Sequence, residues 1–410
     1  MTTPSKAQGE ITTIWNRNFI CIMLANMGLC LSHSSVNPLV ASYTKYLGTS
    51  VQVMGLLTGM FFGVSLAMRP VAGPATTKLD KRMLLIFVFA LGCTANVGYA
   101  MFHSVPMFVF FRFLNGVQYS LIGSLIMTLA GDNLPKNKIA SGMGIYGIGG
   151  AVGTAVAPSI GITLLNFGTK LRGESFGFTL VFLFAALILG LAIIPSCILS
   201  PDRKSKAEVA STGAWYKNIF TMYALPITIV MLLLMTANSL YNTYIVEYAK
   251  ELGITGANTF YLVLACTLAV TRPLSGYITD KFGIKKIMFP AMTLYALSFL
   301  IVGFSKSLPL ILLGAVIAAI GFGSSQPTLQ AMCIQSVTPL KRGVATNTLY
   351  IGIDLALFGG PFLGSVVYGL DSYATMYKTA AIPVVLAIIG FAVVLPIYNR
   401  RRAVLEAQGN

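Results

Sequence analysis

The chain has 410 residues, 56% of them hydrophobic and only 10% charged, with a mean hydropathy of +0.78. That balance excludes a water-soluble globule, in which about a quarter of residues are charged. The formal net charge of +16 would suit a nucleic-acid binder. The Lys and Arg, however, fall in short segments between apolar runs, so nucleic acid is not an expected partner. A bilayer core about 30 Å thick takes roughly 20 apolar residues per helix, and six such runs fit in each half of the chain. The expected fold class is therefore an all-α integral membrane protein with twelve transmembrane helices in two six-helix bundles.

In chain order, the segment 1–9 is polar, and no short apolar core with a small-residue cleavage site follows it, so no cleavable leader is expected. The first run, 19–43, is unusually polar: it holds Asn26, Ser32, His33, Ser34, Ser35 and Asn37. Runs two to six are placed at 51–72, 83–102, 107–130, 139–165 and 176–199. The fourth carries Arg112, Asn115 and Gln118; the fifth is rich in glycine. Residues 201–214 form the longest polar stretch between runs, with Asp202, Arg203, Lys204, Lys206 and Glu208, and read as a linker between the halves. Runs seven to twelve follow at 219–246, 259–278, 287–304, 308–334, 344–370 and 374–398. The domain expectation is 1–199, linker 200–214 and 215–410.

The halves are related. Arg69-Pro70-Val71-Ala72-Gly73 recurs as Arg272-Pro273-Leu274-Ser275-Gly276, 203 residues later. The offset persists: Pro135 and Pro339 are 204 apart, Tyr146 and Tyr350 are 204 apart, and Pro158 and Pro361 are 203 apart. A constant offset implies duplication, a recurrent plan among membrane transporters. With a cytoplasmic N-terminus and twelve spans, 19 of the 28 Lys and Arg lie in cytoplasmic segments and 6 in outer ones. The positive-inside rule then puts both termini in the cytoplasm. The remaining three, Arg69, Arg112 and Arg272, lie within or at the edges of spans. The expected location is the inner or plasma membrane of a bacterial cell. The six cysteines all fall in apolar runs without metal-ligand spacing and read as small core residues.

Intramembrane ionisable groups are costly, so each is a candidate site. Arg112 has no basic counterpart in the second half. An Arg inside a span costs about 2.5–3.5 kcal/mol on insertion scales, so it must face protein or water. It is either a coupling or binding group or a structural residue capping carbonyls. Asp354 lies about ten residues beyond Lys341-Arg342, roughly 15 Å into the membrane at 1.5 Å per residue. It is a candidate proton carrier or a helix-packing anchor. His33 is the third candidate for proton coupling, with a hydrogen-bonded wall residue as the alternative.

With these residues in view, the chain resembles the major facilitator superfamily over nearly its whole length. The family carries a loop between helices two and three, repeated between eight and nine. The second copy here matches well: Gly276-Tyr277-Ile278-Thr279-Asp280-Lys281-Phe282-Gly283-Ile284-Lys285-Lys286. In the first copy, which starts at Gly73, Thr77 replaces the family Asp and Asp80 replaces the second Gly. The resemblance implies a gate at this level built from Arg69, Gly73, Asp132, Arg272, Gly276, Asp280 and Gly283; the alternative is that these charges only mark the membrane boundary. Arg112-Phe113-Leu114-Asn115-Gly116 is similar to a pattern of proton-coupled branches. Gly144, Gly153, Pro158 and Gly161 resemble a helix-five motif of the drug:proton antiporter branch, which implies a rocking interface between the halves; the alternative is plain helix packing. The family lines its cavity with helices one, four, seven and ten, which implies a wall of His33, Asn37, Asn115, Tyr119, Asn238, Tyr241, Ser325 and Gln326.

The functional expectation is a proton-coupled secondary transporter that moves a small amphipathic or anionic organic solute by alternating access, with export favoured. The alternatives are proton-coupled uptake of an organic anion and a non-transporting membrane receptor. No nucleophile–base pair or phosphate-cradling Gly-Lys-Ser/Thr loop is present, so no enzyme, cofactor or metal site is expected. The expected partners are the solute, protons and lipid, with the chain acting as a monomer.

Overall fold

The computed structural model describes residues 12–201, 213–256 and 259–408. The polar segment 1–9 and most of the linker lie outside these residues. Among them there are helices and turns and no strand. The twelve long helices are α1 (Arg17–Tyr46), α2 (Val51–Lys78), α3 (Lys81–Met101), α4 (Val105–Asp132), α5 (Ile139–Arg172), α6 (Glu174–Ile198), α7 (Leu225–Glu251), α8 (Thr259–Phe282), α9 (Ile284–Gly303), α10 (Leu308–Gln335), α11 (Arg342–Leu370) and α12 (Tyr373–Ala407). Eleven of them are long and apolar enough to cross a membrane. The other, α2, has 28 residues, about 42 Å at helical rise, which also exceeds a bilayer core.

Local chemistry sets the helix ends. The side chains of Asn16, Ser50 and Asp80 accept from the amides of Phe19, Val53 and Met83 and cap α1, α2 and α3. Pro106, Pro226 and Pro309 stand in the first turns of α4, α7 and α10, where a missing N–H costs nothing. Gly173 (φ 91°) and Gly283 (φ 88°) make the sharp junctions α5–α6 and α8–α9. Several helices outrun the sequence expectation. Pro70 and Pro74 sit inside α2, which continues to Lys78 instead of ending near Ala72. In a bundle, neighbouring helices and side chains satisfy the backbone groups that a proline frees. Only α7 starts later than expected, at Leu225, because Trp215–Asn218 is a separate 3-10 turn.

The bundles α1–α6 and α7–α12 meet through α5 against α8 and α2 against α11, with α4 and α10 between them. Large apolar side chains such as Leu56, Phe87, Leu187, Phe362 and Val393 point outward, as a lipid-facing surface requires. Cys197 and Cys266 lie on that exposed surface too, which corrects the expectation that all six cysteines are core residues. An apolar run turns its lipid face outward as readily as its core face inward, so hydropathy does not separate the two.

The short loops 79–80, 133–138 and 336–341, with Gly283, share one end of the bundle with the basic segments. At this basic end the halves are tightly joined. Asp280 of α8 accepts from the amides of Ala140 (3.2 Å) and Ser141 (2.7 Å) and from the Ser141 hydroxyl, all at the start of α5. Asp132 of α4 binds Lys81 (2.5 Å) and, across the halves, Arg342 of α11 (3.0 Å). The hydroxyls of Thr128 and Thr346 meet at 2.6 Å. Among the described residues, no hydrogen bond or ion pair joins the halves near the opposite end. Gly59 of α2 and Gly359 of α11, farther from the basic end, have no neighbour within 4 Å of an added Cβ, whereas one at Gly73 would stand 2.8 Å from Asn347 Nδ2. Among the described residues, the polar links between the halves thus lie at the basic end and at mid-depth.

Candidate functional site

About two-thirds of the way along α2 and near the middle of α11, the two bundles share a buried ion pair. Arg69 Nε donates to Asp354 Oδ2 at 2.8 Å, with the side chains 1% and 0% exposed. Ser65, one turn before Arg69 on α2, donates its hydroxyl to the same oxygen at 2.7 Å. Arg69 Nη1 donates to the Ser120 carbonyl of α4 at 2.8 Å, and its guanidinium lies 5.0 Å from the centre of the Tyr350 ring. Asn347 Nδ2 bonds the Arg69 carbonyl (3.0 Å) and that of Ile219 (2.9 Å). Asp354 Oδ1 has no hydrogen-bond partner among the described residues. Burying two charges is repaid only by close pairing, and removing one partner of such a pair costs about 3–5 kcal/mol.

The family resemblance implies a gate role for Arg69 at the membrane boundary. Since α2 continues to Lys78, Arg69 lies nine residues inside the helix, about 14 Å at 1.5 Å per residue. That depth brings it level with Asp354. The other proton-coupling candidates form a separate cluster in the first half. His33 Nε2 lies 3.0 Å from Gln118 Oε1, and its ring packs on Tyr119 (5.4 Å) and Phe61 (5.6 Å). Arg112 stacks on Phe61 at 4.8 Å and donates from Nε to the Leu57 carbonyl at 3.4 Å. Arg112 thus stacks on a ring and donates to a carbonyl in the first half, away from the basic end.

Of the expected cavity wall, His33, Asn37, Tyr119, Asn238 and Gln326 are half-buried and Asn115 is buried. Two members do not face a cavity. Tyr241 is buried in the second bundle, stacked 4.3 Å from Phe299 and bonded to Ser298 (3.1 Å). Ser325 is fully buried and donates to the Gly321 carbonyl of its own helix at 2.8 Å. The family pattern of lining helices names the helix, whereas the face of the helix is decided by packing.

Asp132 and Asp280 make the cross-links at the basic end, Gly276 lets α8 touch Ala140 and Ser141, and Gly73 admits Asn347. In the degraded first copy, Thr77 donates to the Gly73 carbonyl, and a Cβ on Gly343 would stand 3.2 Å from its hydroxyl. Gly144 faces Arg272 of the other half, but Gly153 and Gly161 pack on Cys30 and Ser35 of α1. Pro158 is half-buried within α5. Only part of this motif therefore lies between the halves. Arg272 donates to the Gly147 carbonyl and, at 2.8 Å, to Gln326 Oε1. Among the described residues, no cluster of His, Cys, Asp or Glu is arranged to hold a metal.

Comparison with known proteins agrees with this architecture. The model of the Major Facilitator Superfamily matches residues 22–270 and 227–409. The chain is 22% identical to the multi-drug resistance efflux pump PmrA homolog of Lactococcus lactis, over 96% of this chain and 99% of that protein. It is 24% identical to the multi-drug resistance efflux pump PmrA of Streptococcus pneumoniae, over 89% and 93%. Among solved structures, the proton:xylose symporter XylE superposes with a TM-score of 0.73 at 13% identity, covering 91% of this chain and 94% of the symporter. The chain belongs to the major facilitator superfamily and is a multi-pass membrane transporter, not an enzyme.

Proposed function

We propose that the protein is a proton-coupled antiporter that exports a small amphipathic or anionic organic solute, with its basic end in the cytoplasm. The observation that carries the reading is the Arg69–Asp354 pair, a titratable carboxylate that ties the two moving halves together at mid-depth. Protonation of Asp354 removes the negative charge and leaves Arg69 facing a neutral acid. Oδ1 can accept the proton without first losing a hydrogen bond to the chain. The tie between α2 and α11 weakens, while the latches at Asp280, Asp132 and Thr128 still hold the basic end closed. Breaking them would expose the site to the cytoplasm, where the proton leaves and solute enters. Re-forming the pair closes the basic end again. The distribution of Lys and Arg supports the orientation, and similarity to efflux pumps supports export.

The test is flux in proteoliposomes with an imposed pH gradient and an amphiphilic fluorescent dye. Dye moving uphill against the flow of protons supports the reading. Dye moving with the protons supports uptake instead, and binding without movement supports a receptor.

A further inference from the structure

The duplicated sequence makes one position informative. Arg69 corresponds to Arg272, and Tyr350 to Tyr146. By the same 204-residue offset, Asp354 corresponds to Gly150 (354 − 204 = 150). The fold keeps this relation. On one side Arg69 of α2 meets Asp354 of α11. On the other, Arg272 of α8 meets Gly150 of α5, where an added Cβ would stand 3.4 Å from Arg272 Nη1. The second interface thus repeats the first with the carboxylate removed.

Arg272 is only 8% exposed, yet its partners are neutral. Nη1 donates to the Gly147 carbonyl, Nη2 donates to Gln326 Oε1, and Nε has no partner among the described residues. No carboxylate pairs with it among the described residues. The nearest acid along its own helix, Asp280, is held by the start of α5. A buried guanidinium is stable when an anion satisfies it. Nε and Nη2 together form the fork that grips a carboxylate through two parallel bonds. Here one arm of that fork is unused and the other holds only a side-chain amide, which an anion can displace. Gly147, Gly150 and Gln326 are half-buried, not sealed, so the fork borders the space between the halves.

We propose that Arg272 receives the negative group of an anionic substrate, a small organic carboxylate, in the position that Asp354 fills on the other side. This rests on the transport reading above and narrows its substrate class. The experiment measures the thermal stability of the purified full chain with a series of carboxylates from acetate to dodecanoate and 2-naphthoate, each paired with its methyl ester. At least one carboxylate should raise Tm where its ester does not. Arg272→Lys should weaken that response about tenfold or more, because a single ammonium cannot make the paired bonds, and Arg272→Gln should abolish it. Gly150→Asp keeps the arginine and supplies an internal carboxylate: it should raise Tm by itself and abolish the response to added acids. The proposal is overturned if no carboxylate acts, if esters act equally, or if Gly150→Asp leaves the response intact. Proton-driven dye flux in the same preparation separates the two readings. Flux without carboxylate binding sinks this proposal alone, and carboxylate binding without flux sinks the transport reading alone.

Discussion

Replacing Asp354 by Asn tests what the buried pair does for the closed basic end. The side chain keeps its size, and its amide oxygen can still accept from Ser65 or Arg69, but the charge is gone and Arg69 stays buried. Losing one partner of a buried pair costs about 3–5 kcal/mol; with some hydrogen bonding retained, the lower figure applies. That cost falls on the state closed at the basic end, because opening hydrates both groups. About 3 kcal/mol is a factor of roughly 150. A state open at the basic end that is about 1% populated in the parent would rise to about 60%. Labels at the exposed positions Asn137 and Lys286, in a chain whose six cysteines are replaced, report the opening as a longer distance between halves. A double cycle with Arg69→Gln isolates the pair, since residues in contact are non-additive by about 0.5–3 kcal/mol. An unchanged distance distribution in Asp354→Asn, or additive effects of the two changes, would refute the reasoning.

Three further outcomes follow from the geometry. Gly276→Val places methyl groups where Ala140 O would be 2.5 Å from the Cβ, so it should hold the basic end apart and abolish transport while the protein remains folded; wild-type flux would contradict the contact. Asp280→Asn weakens bonds worth about 1.5–3 kcal/mol to the start of α5, so a cysteine at Ser141 should react faster with an impermeant maleimide; an unchanged rate would mean that Asp280 does not latch the halves. Tyr241→Ala removes a ring stacked within the second bundle and should lower Tm, at a cost of about 3–5 kcal/mol, without changing dye affinity. A loss of affinity at unchanged Tm would return Tyr241 to the cavity wall.

Much of the fold was legible because lipid demands long apolar helices, and because duplication writes each half twice. The latch at Asp280 was legible too, since its glycines and acid form a contiguous motif. The ion pair was not. Arg69 and Asp354 are 285 residues apart, and the prolines beside Arg69 suggested a helix end where the bundle carries the helix on for two more turns. Arg112 and Asp354 stood out as isolated charges, but isolation in sequence says nothing about which partner the fold supplies. Tyr241 shows the same limit: a polar aromatic on a cavity-lining helix can face either way, and stacking on Phe299 decided it. The offset that relates Arg69 to Arg272 also sets Asp354 against Gly150, so the asymmetry of the two arginine sites was readable before any coordinates.

The central claim is that the proton which drives transport resides on Asp354. It is tested most directly by comparing two fluxes of the Asp354→Asn protein in proteoliposomes: accumulation driven by a pH gradient, and exchange of dye across the membrane without one. The account predicts that gradient-driven accumulation disappears while exchange persists and no longer responds to pH. Accumulation at the parent level in Asp354→Asn would contradict it.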